Sequence, residues 1–86
     1  MQYRGKFDIV NKILRVCSKN GGKKKTIIMR DVGLSFSQTK TYLPRMLSAE
    51  LIETRSDGNG GGVSYVTIDK GWEFMKIYNE VSRLVN

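Results

Sequence analysis

The sequence predicts an α+β domain made of a three-helix bundle, a β-hairpin and a closing amphipathic helix. Three observations carry that prediction. Apolar residues recur at helical spacing from Lys6 to Ser18. Ser35, followed three residues later by Gln38, opens a further helical run. Two stretches of strand character flank a glycine- and asparagine-rich segment at residues 56–62. At 86 residues the chain can fill one core, because a second could not be completed from so little material.

In the first helix Ile9, Val10, Ile13, Leu14 and Cys17 form one apolar face, and Asn20-Gly21-Gly22 ends it. Cys17 falls on the buried side and reads as a small core residue. Lys23-Lys24-Lys25 leads into a short second helix, capped by Thr26, with Ile28, Met29 and Val32 turned inward and Gly33 closing it. Ser35 and Gln38 make a capping box, so a third helix spans residues 35–49 with Thr39, Tyr42, Leu43, Met46 and Leu47 inward. Pro44 lies inside that helix and removes the N–H that would pair with the Lys40 carbonyl, a cost of about 3 kcal/mol. Its place on the outward face lets water satisfy the carbonyl, so one kinked helix is expected rather than two.

Leu51–Arg55 and Val63–Ile68 read as strands, the second by its period-2 alternation. The loop between them exceeds what a tight turn needs and is expected to project. Asp69 caps a last helix that continues to about Val85. Phe74, Ile77, Val81 and Leu84 follow one another at spacings of three, four and three, the rhythm of a coiled-coil seam. Trp72, Met75 and Tyr78 mark a second face. One stripe can pack on the domain, and the other needs a partner, so a homodimer through this helix is expected. The domain then divides into residues 1–68 and a dimerisation element at 69–86.

Charge narrows the function. The net charge is +7, but residues 1–56 hold twelve Lys/Arg against four Asp/Glu, and residues 57–86 hold three against four. A basic body beside a near-neutral C-terminal segment suits a polyanion-binding face plus a segment with another role. Histidine is absent and Cys17 is the single cysteine, which excludes Cys/His zinc sites, imidazole-based triads and an internal disulfide. No apolar run is long enough to span a membrane, and Met1-Gln2-Tyr3-Arg4 lacks the apolar stretch of a secretory signal. A cytoplasmic chain is therefore expected. Gly21-Gly22-Lys23-Lys24-Lys25-Thr26 lacks the first glycine and the preceding strand of a phosphate loop. The carboxylates are scattered, so neither catalysis, a cofactor nor a small-molecule substrate is expected.

The order helix, helix, turn, helix, strand, glycine loop, strand, helix is the winged helix-turn-helix plan. In that plan the helix after the turn enters the DNA major groove. Its outward side chains here include Ser37, Gln38, Lys40, Thr41 and Arg45. Gln38 matches adenine N6/N7, Lys40 and Arg45 match guanine or phosphate, and the Ser37 and Thr41 hydroxyls suit either backbone or bases. Lys23, Lys24 and Lys25 stand at a helix N-terminus as a phosphate clamp. Arg55 and Asn59 flank the wing and are expected to reach the neighbouring groove or its phosphates. The competing reading is a winged-helix protein-interaction module without a DNA role.

Several of these stretches resemble a known family. Ile9 to Leu14, Lys25-Thr26-Ile27-Ile28-Met29, Leu34-Ser35-Phe36, Tyr42-Leu43, Met46-Leu47, Leu51-Ile52 and Thr67-Ile68-Asp69-Lys70-Gly71 resemble the archaeal winged helix-turn-helix proteins. That family includes small, chromatin-associated DNA-binding proteins of roughly ten kilodaltons. The resemblance covers about residues 6 to 80; it departs at Gly33, where the family tends to carry asparagine, and at Pro44. It implies a cytoplasmic, nucleoid-associated or regulatory role. It also implies dimers formed through the C-terminal helices as an antiparallel coiled coil.

Overall fold

The computed structural model describes residues 5–56 and 62–85. Its elements are α1 (Lys6–Cys17), α2 (Lys25–Val32), α3 (Phe36–Ser48), β1 (Ile52–Ser56), β2 (Val63–Thr67) and α4 (Asp69–Val85). This is the predicted α+β winged helix-turn-helix with a fourth helix.

α1 buries the five residues its periodicity singled out, Ile9, Val10, Ile13, Leu14 and Cys17. Its last turn leaves carbonyls without helical partners. The Ser18 N–H and hydroxyl both donate to the Arg15 carbonyl, at 3.3 and 2.7 Å. The Leu14 carbonyl accepts from the buried Thr67 hydroxyl at 2.7 Å, which fastens β2 to the helix end. Ser18 is thus the cap, and the left-handed residues Asn20, Gly21 and Gly22 lie beyond it.

α2 starts two residues earlier than the sequence suggests. Lys24, not Thr26, is its N-cap, and no side chain caps it. The reason is a pairing the sequence did not signal. The backbone of Lys23 forms an isolated antiparallel bridge with Tyr65, through Lys23 N–H to Tyr65 O at 3.0 Å and Tyr65 N–H to Lys23 O at 2.8 Å. That bridge holds the chain extended through Lys24, so the helix begins immediately after it. Gly33 closes α2 in the left-handed conformation, as expected.

Both bonds of the Ser35/Gln38 box are present at 3.0 Å. α3 then runs uninterrupted past the exposed Pro44, with Thr39, Leu43 and Met46 buried and Tyr42 and Leu47 half-buried. It ends in a Schellman motif: the Glu50 N–H donates to Leu47 O and the Leu51 N–H to Met46 O, both at 3.0 Å. Glu50 takes the left-handed position, at φ 61°, that usually falls to glycine.

β1 and β2 pair antiparallel, from Ile52 opposite Thr67 to Ser56 opposite Val63. The strands grade from buried at this base to exposed toward the tip, rather than alternating cleanly along β2. The hairpin touches the core at its base and through Tyr65 in mid-strand, so burial falls with distance from the bundle. Asp69 is the first helical residue of α4 rather than its cap, since Ile68 O accepts the Trp72 N–H. Gly71 is the one buried residue of α4. A Cβ there would meet the Leu51 carbonyl oxygen and would lie 2.7 Å from Thr67 Cγ2 and 2.9 Å from Leu14 Cδ2. The helix therefore crosses the hairpin base at backbone contact. Phe74 and Met75 pack against the core formed by α1–α3 and Ile52. Farther along, Ile77, Val81 and Leu84 are 52%, 54% and 84% exposed. Neither predicted stripe packs along its whole length, because the first half of the helix lies on the domain and the second half passes beyond it.

Candidate nucleic-acid interface

α3 carries its outward residues in two adjacent rows, each stepping by four. Phe36, Lys40 and Pro44 form one; Ser37, Thr41 and Arg45 form the other. All six are exposed. The first row faces the wing. There Lys25, from the start of α2, and Lys40 line one shallow depression of about 180 Å³ together with Thr39, Pro44 and Tyr65. The second row faces α1, where Thr41 and Arg45 line a depression of about 190 Å³ with Lys6 and Tyr42.

The three lysines differ in setting. Lys23 is half-buried and pinned to β2 through its backbone, while Lys24 and Lys25 are exposed at the positive end of α2. The bridge thus fixes the distance between the lysine cluster and the wing. Lys40 Nζ sits 5.3 Å from the centroid of the Phe36 ring, within cation–π range.

Some predicted contacts carry internal commitments. The Gln38 carboxamide oxygen accepts the Ser35 N–H, so bidentate pairing with adenine competes with a cap worth ~1 kcal/mol. The Thr41 hydroxyl donates to Ser37 O at 3.1 Å and must rotate before it can donate to a phosphate. Arg55 Nε donates to Glu53 Oε2 at 3.0 Å along the same exposed strand. Ser37 is exposed one residue inside the cap. Asn59 and the rest of the loop over 57–61 lie outside the described residues.

Three residues border this surface that the sequence did not single out: Lys6, Phe36 and Tyr65. Phe36 was within reach, since an apolar residue directly after a helix cap and outside the inward set has to be exposed. Tyr65 and Lys6 had no comparable signal, because each depends on how distant segments meet. Among the described residues no group of carboxylate and cysteine side chains could hold a metal ion, and no helix is long and apolar enough to cross a membrane.

The winged helix-turn-helix family profile matches residues 3–86, and the chain belongs to that family. Among solved structures the fold is similar to Sso10a-2, a DNA-binding protein from Sulfolobus solfataricus, with a TM-score of 0.77 at 20% identity over 94% of this chain and 81% of that one. It is also similar to RV1404 from Mycobacterium tuberculosis, with a TM-score of 0.72 at 18% identity. That likeness covers 90% of this chain but 56% of RV1404, so the chain spans little more than half of that protein. A predicted DNA-binding transcriptional regulator from E. coli matches with a TM-score of 0.62 at 23% identity, over 90% of this chain and 75% of that one. At such identities the likeness is one of fold. No curated protein matches the sequence.

Proposed function

We propose that the protein binds double-stranded DNA, as a transcription regulator or as an architectural protein of the nucleoid in the cytoplasm. The observation that carries this reading is the convergence of Lys25 and Lys40 with Tyr65 in one depression between α2, α3 and the wing. In it α3 enters the major groove, with Ser37, Gln38, Lys40, Thr41 and Arg45 along the contact. Lys23, Lys24, Lys25, Arg55 and Asn59 meet the phosphates on either side. Two of the structural relatives are described as DNA-binding, which supports the same reading. Residues 1–68 form the reading unit. Residues 69–86 join two copies through Phe74, Ile77, Val81 and Leu84, which places two recognition helices on one duplex.

Titrating the protein with random and selected duplexes over a range of salt tests the proposal. The logarithm of affinity should fall linearly with the logarithm of salt concentration. Replacing Lys24 and Lys25 together by glutamine should reduce that slope by about 2, roughly one per phosphate contact. A steep slope without sequence preference selects the architectural role, and a preferred site selects the regulator. Failure to bind any duplex at low salt would remove the proposal.

A further inference from the structure

The first turn of α3 offers few side chains to a groove. Thr39 is buried, and the Gln38 carboxamide oxygen is held by the cap. Phe36 and Ser37 remain, both exposed. Phe36 is the unusual member: the residue is 62% exposed at the first helical position, where it takes no part in the core. Its companion is the Lys40 ammonium one turn later, 5.3 Å from the ring centroid. Lys40 in turn borders the depression that holds Lys25 and Tyr65. Phe36 is therefore a large exposed apolar side chain set beside a cation, at the edge of a surface that also carries Lys25.

We infer that Phe36 reads thymine in the major groove, with its ring against the C5 methyl group and Lys40 braced on the ring toward the adjoining phosphate. This rests on the DNA-binding reading above. A recognition helix brings its N-terminal residues to the base edges. Phenylalanine has no hydrogen-bonding group to offer there, and the one apolar feature the major groove displays is the thymine methyl. Apolar wedges that part the base stack act from the minor groove, a geometry that a helix in the major groove does not share. The flanking cations complement the phosphate backbone, so the ring can be brought to a base edge without leaving a charge unmatched.

The test removes the methyl and nothing else. Duplexes recovered by selection are remade with deoxyuridine in place of each thymine in turn, and the full chain is titrated with each at fixed salt. At one thymine position per half-site the wild type should lose about three- to fivefold in affinity, the effect of one methyl-sized apolar contact. At that position Phe36→Ala should bind the thymine and uracil duplexes equally. Phe36→Leu, which keeps apolar bulk without the ring, should retain part of the discrimination, and circular dichroism checks that both variants fold. If selection returns no preferred sequence, alternating A–T and A–U duplexes take its place, with the same ratio expected. Equal affinity of the wild type for both duplexes, or an unchanged ratio in Phe36→Ala, overturns the inference and leaves duplex binding standing. Absence of duplex binding at low salt removes both together.

Discussion

Two buried side chains show how single groups set the stability of this domain. The Thr67 hydroxyl supplies the partner that the Leu14 carbonyl loses at the end of α1. Thr67→Val keeps the shape and leaves that carbonyl unpaired in the core, so it should cost about 1–3 kcal/mol in denaturant unfolding, with Thr67→Ser recovering much of the loss. Cys17 is fully buried, and desolvation pushes its thiol from an ordinary value of 9.0 up to about 12. The folded protein then holds a proton that the unfolded chain releases above pH 9. Stability from this group is intact below that pH and declines as pH rises from 9 toward 12. Unfolding measured across that window should show a shallower decline in Cys17→Ala than in the wild type. Native Cys17 should also resist alkylation at neutral pH and react once denaturant unfolds the chain.

At the level of elements, much of the fold was legible because it depends on local rules. The helical period named all five buried residues of α1, and the Ser35/Gln38 pair fixed the start of α3 to the residue. What escaped was non-local. Thr26 looked like a cap because nothing near it disclosed that Lys23 pairs with Tyr65, forty-two positions away, and so moves the start of α2. The outward-facing residues of α3 were legible from spacing, but not their division into a wing-side and an α1-side row. That division arises from tertiary packing. Gly71, in the Thr67–Gly71 stretch that resembles the family, gains a physical cause, since only glycine lets α4 approach the Leu51 carbonyl. Gly71→Ala would gain ~1 kcal/mol of helix propensity. It would also force a methyl group against backbone, where overpacking costs about 1–3 kcal/mol or more. The neighbouring atom is a backbone carbonyl that cannot swing aside, so a net loss of stability and a lower melting temperature are expected.

For the molecule as a whole, the proposed dimer rests on the exposed half of α4. Phe7 of α1, itself 62% exposed, leans on Phe74 at 6.2 Å between ring centroids, and Phe74 stacks on Tyr78. With Ile77 and Val81 these rings line one apolar groove of about 360 Å³. A homodimer through this groove predicts that Ile77→Asp and Val81→Asp each shift the sedimentation coefficient from dimer to monomer. The circular dichroism of the domain should stay intact, since neither residue belongs to the core. A wild-type chain that sediments as a monomer at high concentration would contradict the seam.

The bridge between Lys23 and Tyr65 also bears on how the chain avoids indiscriminate assembly. A two-stranded ribbon has two open edges, and an open edge is a template for strands of other molecules. At Tyr65 the free edge of β2 is already paired by the chain itself. The outer strand, β1, carries the Glu53–Arg55 ion pair beside the exposed Thr54 and Ser56, a polar margin that discourages further strand addition. Gly22 makes the closure possible: at φ 108° it brings the backbone so near β2 that a Cβ would fall 2.6 Å from Val66 Cγ2 and 2.8 Å from Tyr65 O. A side chain at this position would press on the backbone of β2 and work against the bridge, so the self-pairing of this edge depends on one glycine.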